Sequence, residues 1–525
     1  MANSRRSFLG NVGSGMLMAG LGATLATDLE LAGLFASENT AVAGGPELAD
    51  DRLTFGELEP LVALMQETSA TDLTAKLVDK IKAGTDLRTL VAAGALSNAR
   101  TFGGQDYIGF HTFMALAPAY RMAQELPTEQ RPLPVLKVLY RNAERIQSFG
   151  GSKSEILRAL SPEPIPGGAS IGQHLRDVAR TGNIDQADRT FSALASLPIG
   201  EAFNHLQFEL EEEVDVHRIV LAWRALDTYD LAGEQWGHCM LRQSIRYCAN
   251  TEHRIIEKKQ SPSPIRSLLP RLLDQHSLVG RALGQKVGDD RWFAQLVTTI
   301  FRGSRDQAAE AVAQALVEGY SPEALGEAIS VAANMLVLHD PGRPEHWSNP
   351  EKPIGSCHGD SVGVHASDAA NAWRNIVRVS NPRNVVASLI VGAYHTGGQS
   401  ERSNPQPFPF AEHLDAVQAS TATELLHQAD EAIRANDQFR SAALVTRYGQ
   451  LGLNARPMFD LMLKFATSED GALHAEKYYH TAVSEYAATR PAYRWGQLVA
   501  LARVTASEYG QPSAGYAEAK KLLSA

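Results

Sequence analysis

From Thr54 onward the apolar positions recur at helical spacing. Leu58, Leu61, Val62 and Met65 share one face, and Leu73, Leu77 and Ile81 share another. This is the i, i+3, i+4 pattern by which a helix buries one stripe against a core. Prolines gather in connectors at 127–134, 162–166, 262–264, 341–353 and 405–409, where a residue with no N–H ends a helix. Alternating β-branched runs bounded by turns are nearly absent. The pattern predicts an all-α fold.

Two stretches echo each other half a chain apart. Gly104–Arg121 reads GQDYIGFHTFMALAPAYR and Gly359–Arg374 reads GDSVGVHASDAANAWR. Each has a small and acidic lead-in, then Gly-x-His, then an Ala-rich run ending in aromatic-Arg. Further matches run in the same order: Asn98 with Asn334, Asp185 with Asp437, Phe203 with Phe459, and His217 with His474. The offset lengthens between Asn334 and His365, so the second copy carries an insertion, 339–363. Long-period self-similarity of this kind predicts an internally duplicated array of helical hairpins with pseudo-two-fold symmetry. A finer echo lies within each half. The helices led by His111, His217, His365 and His474 are each followed by a second apolar helix, beginning at Val135, Cys239, Val385 and Trp495. The predicted organisation is a first half over 44–255, a connector with linking helices over 256–320, and a second half over 321–525.

The first 43 residues stand apart from this pattern. Ser4-Arg5-Arg6-Ser7-Phe8-Leu9 resembles the twin-arginine export signal, with Gly10 where lysine is common. A weakly apolar run, 13–26, follows, and Ala41-Val42-Ala43 forms a small-x-small cleavage site before Gly44. The resemblance implies export through the twin-arginine translocase to the periplasm, a route for proteins already folded, often around a cofactor.

Net charge is −10 and the pI about 5.9, so neither nucleic acid nor an anionic membrane surface is an expected partner. No apolar run after the signal is long enough to span a bilayer. The three cysteines, Cys239, Cys248 and Cys357, form no disulfide framework. Cys357-His358 lacks the first Cys of a C-x-x-C-H haem attachment site, which argues against c-type haem.

An acid precedes each repeated histidine: Asp106, Asp215, Asp360 and Asp470. Read as caps, these acids place His111, His217, His365 and His474 in or near the first turn of their helices. A helix N-terminus disfavours imidazolium and keeps the ring available as a ligand. Four such imidazoles from related helices could converge on iron, manganese or zinc, or on a non-covalent haem, with Glu213 and Asp360 as carboxylate partners. The alternative is four structural histidines, each kept inside its own hairpin. In EAFNHLQFELEEEVDVH, residues 201–217, Glu201, His205, Glu209, Glu213 and His217 fall four apart. That spacing makes carboxylate–imidazole half-sites, while the run 209–213 reads as a solvated helix end. In the last repeat, Glu476 and His480 form another such pair, and Tyr478, Tyr479 and Tyr486 read as half-buried packing residues with wet hydroxyls. Arg121, Arg224 and Arg374 end the apolar faces of their helices and could receive a substrate carboxylate.

Around His111, His217 and His365 the paired Ala-rich helices with a leading histidine resemble the questin-oxidase-like family, and also helical domains fused to some Rieske proteins. The resemblance implies an all-α oxidoreductase acting on an organic substrate. The expectation is an exported, metal-dependent oxidoreductase for a small molecule. Its counterpart is a non-catalytic helical module that binds a ligand or a protein.

Overall fold

Polar caps start many of the helices. Asp86 accepts from Thr89 N, and Asp106 from Gly109 N; Ser304 with Gln307 and Thr421 with Glu424 complete reciprocal capping boxes. Each cap satisfies N–H groups that a first turn leaves without partners. The computed structural model describes residues 51–168 and 170–525, so the twin-arginine stretch and its cleavage site lie outside the described residues. Among the described residues there are 23 α-helices and no strand. The fold is all-α.

The chain divides into two compact units, one running to Arg266 and including Ala517–Ala525, the other Ser267–Tyr516. The first unit contains two runs of five helices. The first run is α1 (Glu59–Glu67), α2 (Ala70–Lys82), α3 (Leu87–Phe102), α4 (Tyr107–Glu125) and α5 (Pro132–Phe149). The second is α6 (Ile171–Ala179), α7 (Ile184–Ser192), α8 (Ile199–Leu210), α9 (Val216–Ala232) and α10 (Glu234–Glu257). Helix α11 (Ile265–Gln275) begins at the boundary.

The second unit also contains two runs of five. These are α12 (Asp290–Arg302), α13 (Arg305–Val317), α14 (Pro322–Leu338), α15 (Val362–Val379) and α16 (Pro382–Thr396). After a short α17 (Ala411–Asp415) come α18 (Ala422–Arg434), α19 (Gln438–Gln450), α20 (Arg456–Ser468), α21 (His474–Ala488) and α22 (Arg494–Glu508). A final helix, α23, spans Tyr516–Ser524. Residues 267–320, read from the sequence as connector and linking helices, pack within this second unit.

All four runs share one packing plan. The first helix lies on the third, the second on the fifth, the third on the fourth and fifth, and the fourth on the fifth. Within each unit the two fourth helices also pack together, α4 on α9 and α15 on α21. These are the helices that begin with the repeated histidines.

Ion pairs bolt each of these helix pairs further along. Arg121 pairs with Asp227 in the first unit, and Arg374 with Glu485 in the second. Glu485 also accepts from Ser330 Oγ at 2.6 Å and Asn371 Nδ2 at 2.7 Å, and Arg374 donates to Ala488 O at 2.8 Å. Arg121 and Arg224 share Asp227, and Arg374 meets Glu485 and Glu323, so the Arg374 charge is already compensated. Arg374 and Glu485 are both buried. Truncating Arg374 to Ala leaves the carboxylate buried without its main counter-charge, a change that typically costs about 3–5 kcal/mol. Urea unfolding of Arg374→Ala should show that loss, whereas Arg378→Ala, which removes a half-exposed partner of Glu323, should stay within about 1 kcal/mol.

Candidate functional site

The four repeated histidines meet in two pairs, one inside each unit. In the first unit Asp106 caps α4 through Gly109 N at 2.6 Å, and Asp215 caps α9 through His217 N at 2.9 Å. These caps set His111 and His217 in the opening turns of neighbouring helices. Their ring centroids lie 4.9 Å apart, with Tyr107 and Phe110 against both rings. His111 Nδ1 is 2.7 Å from the carbonyl of Tyr107. A carbonyl only accepts, so Nδ1 carries the proton and Nε2 the lone pair. His217 Nδ1 stands 3.3 Å from Asp215 Oδ1. Tyr247, on α10, donates its hydroxyl to Asp215 Oδ2 at 2.5 Å. Burial pushes the Asp215 carboxyl up, but the His217 ring and the Tyr247 hydroxyl outweigh it and hold it below its ordinary value.

In the second unit His365 Nε2 and His474 Nε2 are 3.2 Å apart, and both rings are buried. At that distance a neutral pair has one ring donating and the other accepting. The caps here differ from the sequence expectation. Ser361, not Asp360, accepts from the first turn of α15, and Asp470 makes no side-chain cap to the turn before α21. Asp360 has turned away to Lys352 Nζ at 2.6 Å and Arg343 Nη2 at 2.5 Å. Burial alone would raise this carboxyl, but the two cations hold it well below the usual carboxylate range.

Strain is concentrated just before His474. Gly471, Ala472 and Leu473 run consecutively through the left-handed region, with φ of 51°, 46° and 66°. For alanine and leucine this region is disfavoured by roughly 1–3 kcal/mol each, a cost that persists only where surrounding contacts impose it. Beside this turn the insertion is tied to α22. Gly359 N donates to Glu508 Oε1 at 2.8 Å, and Cys357 N to Ser507 Oγ at 3.1 Å. A Cβ on Gly359 would lie 2.3 Å from His474 Cβ, so only glycine lets the insertion approach so closely. The insertion therefore ends as a buried edge against His474, although Ile354 within it is exposed.

One turn after His474, Tyr478 is buried, and its hydroxyl has no hydrogen-bond partner among the described residues. Burial keeps it protonated, its pKa well above the ordinary tyrosine value. Thr481 Oγ1 donates to Asp368 Oδ1 at 2.8 Å. His365/His474, Asp368/Thr481, Asn371/Glu485 and Arg374/Glu485 thus make a continuous polar seam between α15 and α21. Tyr478 and Tyr479, read from the sequence as half-buried, are 2% and 0% exposed.

The run 209–213 is also buried rather than solvated. Glu213 accepts from Arg266 Nη2 at 2.6 Å and from Ser263 N at 2.9 Å. Arg266 reaches Glu252 as well, and Arg180 holds Glu212. Arginines distant in sequence supply the compensation that a run of acids cannot supply itself. Neither carboxyl oxygen of Glu209 has a hydrogen-bond partner among the described residues, though Arg218 Nη2 stands 3.5 Å away. Burial drives its pKa well above the ordinary glutamate value.

No group of three or more His, Cys, Asp or Glu among the described residues is arranged to hold a metal ion. Around the paired histidines stand two residues that the sequence spacing did not reveal: Tyr247, bonded to Asp215, and Glu508, bonded to the backbone of Gly359. A separate surface pocket lies against α11, α12 and α13, lined by Arg271, Arg302, Asp306 and Glu310, and none of the four histidines lines it. No protein-family model, curated protein or solved structure matches the chain. The likeness to the questin-oxidase-like family therefore rests on the residues around His111, His217 and His365 alone.

Two buried groups give stability a pH dependence, with opposite signs. Glu209 binds its proton more tightly in the folded than in the unfolded chain, so its contribution to stability is present at low pH and is lost as pH rises from the ordinary carboxylate range through the folded value. Unfolding of Glu209→Gln should show a smaller loss of stability over that rise than the native chain; equal slopes would contradict the assignment. His358 has the opposite sign. Burial lowers its pKa to about 3, so stability falls as pH drops below the ordinary imidazole value of about 6.5. His358→Gln should flatten the acid limb between roughly pH 6.5 and the value near 3, read from denaturation midpoints.

Proposed function

We propose that the chain is an exported, metal-dependent oxidoreductase for a small organic substrate, with its chemistry at the paired histidines. The observation that carries this reading is the 3.2 Å separation of His365 Nε2 and His474 Nε2. Two imidazole nitrogens on one tetrahedral centre, each about 2.0–2.1 Å from the metal, stand roughly 3–3.5 Å apart. A bound transition metal would supply Lewis-acid or one-electron chemistry. The chain's own part is to hold two nitrogens at that spacing, to exclude water by burial, and to present the protonated Tyr478 one turn from His474. In the first unit, the contacts at His111 and His217 Nδ1 resemble the outer hydrogen bonds that orient metal-bound histidines. The shared packing plan of the four helical runs supports a further inference, that the chain arose by repeated duplication of one five-helix set and retained its leading histidine each time.

A second reading has its own support. Because no third His, Cys, Asp or Glu joins either pair as a metal-holding group among the described residues, His365 and His474 could act without metal, passing one shared proton to and from a substrate. Metal analysis by mass spectrometry, with an absorption spectrum of protein recovered after native export, separates the two. The metal reading expects a stoichiometric transition metal that His365→Ala and His474→Ala each release. Metal-free protein that still turns over substrate, with a rate governed by both histidines, supports the acid–base reading and ends the metal one.

A further inference from the structure

We propose that Asp215 and Tyr247 are positioning residues that fix His217 with its proton on Nδ1, leaving Nε2 as the donor nitrogen of the first unit's pair. The proposal rests on the reading of His217 as a functional nitrogen, but the geometry behind it is independent of any metal.

Asp215 does two jobs with two oxygens. Oδ1 accepts the backbone N–H of His217 at 2.9 Å, which starts α9, and lies 3.3 Å from the ring nitrogen Nδ1. Oδ2 accepts the Tyr247 hydroxyl at 2.5 Å. If Nδ1 carried the lone pair, it would face a carboxylate oxygen at 3.3 Å, and two electron-rich atoms would oppose each other in a buried site. A proton on Nδ1 turns that repulsion into attraction. Asp215, His217 and Tyr247 are all nearly inaccessible to water, so solvent cannot screen either case. Tyr247 comes from a different helix, α10, and packs its ring against Phe110, which also touches both histidines. The carboxylate is thereby bonded at both oxygens.

A cap needs only one acceptor oxygen, and serine or asparagine would serve it equally well. The second oxygen and its tyrosine are unnecessary for starting a helix. They are what a ring-orienting arrangement requires, the carboxylate–histidine contact that sets a tautomer and raises the basicity of the opposite nitrogen. His111 reaches the same end by another route, through the Tyr107 carbonyl. Both rings of this pair are thus set with Nε2 as the electron donor, whereas the His365 and His474 pair has Nε2 facing Nε2.

The test uses the full mature chain, stripped of metal and labelled with ¹⁵N-histidine. The His217 signals, assigned by their loss in His217→Gln, should show the Nδ1–H tautomer in the native chain. Asp215→Asn keeps an acceptor for the cap but removes the charge, and should move the population measurably toward Nε2–H with the helix content unchanged. Tyr247→Phe releases Asp215 Oδ2 and should move the population in the same direction, by less than Asp215→Asn does. A native His217 that is mainly Nε2–H, or an Asp215→Asn chain with the native tautomer ratio, overturns the proposal. Titration of the restored protein with Zn²⁺ and Mn²⁺ then adds an independent arm. If the pair binds metal, Asp215→Asn should weaken that binding roughly 10–100-fold. Absence of binding in the native chain would count against the metal reading while the tautomer result still stands or falls by itself.

Discussion

Each unit depends on a contact between the openings of two helices. His111 meets His217 where α4 and α9 begin, and His365 meets His474 where α15 and α21 begin. About ten residues later the same helices meet again, through Arg121 and Asp227 or Arg374 and Glu485. At 1.5 Å of rise per residue these two contacts are about 15 Å apart. Each pair of helices is therefore pinned at two points and runs in the same direction between them. Imidazoles can meet at the helix openings because they need not be charged there. Removing either pin would leave a buried polar group without its main partner, so the pairing and the surrounding core hold each other in place.

The two seams are unequal. Following His111 and His217 along their helices come Met114, Ala115, Pro118 and Leu221, all buried and apolar. Following His365 and His474 come Asp368, Asn371, Tyr478 and Thr481, also buried but polar. Only the second unit has the insertion between its third and fourth helices, and there the chain passes through three left-handed residues to reach His474. Buried polar groups and backbone strain both oppose folding, and both are concentrated beside this one histidine pair. The first unit's pair has the tighter orientation instead, through a carbonyl on one ring and a carboxylate on the other.

The helices were legible because amphipathic spacing and proline breaks are local signals. The helical runs beginning near Val135, Cys239, Val385 and Trp495 all fall within helices of the structure. The pairing of His111 with His217 and of His365 with His474 was not legible, because repeat matching relates equivalent positions and is silent about which of them touch. Burial of 209–213 was hidden for a related reason. Five residues dense in glutamate look solvated until Arg180, Arg218 and Arg266 arrive from elsewhere in the chain. The cap at α15 misled because two acceptors, Asp360 and Ser361, are adjacent, and only the positions of Arg343 and Lys352 decide which one turns inward. Tyr247 carries no repeat signature, so its hydrogen bond to Asp215 had to be seen.

The central claim is that the histidines work as pairs and that the His365–His474 pair brackets the reacting centre. Anomalous diffraction from crystals of the natively exported protein, recorded on both sides of the metal absorption edge, addresses it most directly. The account predicts a peak about 2.0–2.1 Å from Nε2 of both His365 and His474. A fully occupied metal bound away from all four histidines would contradict it.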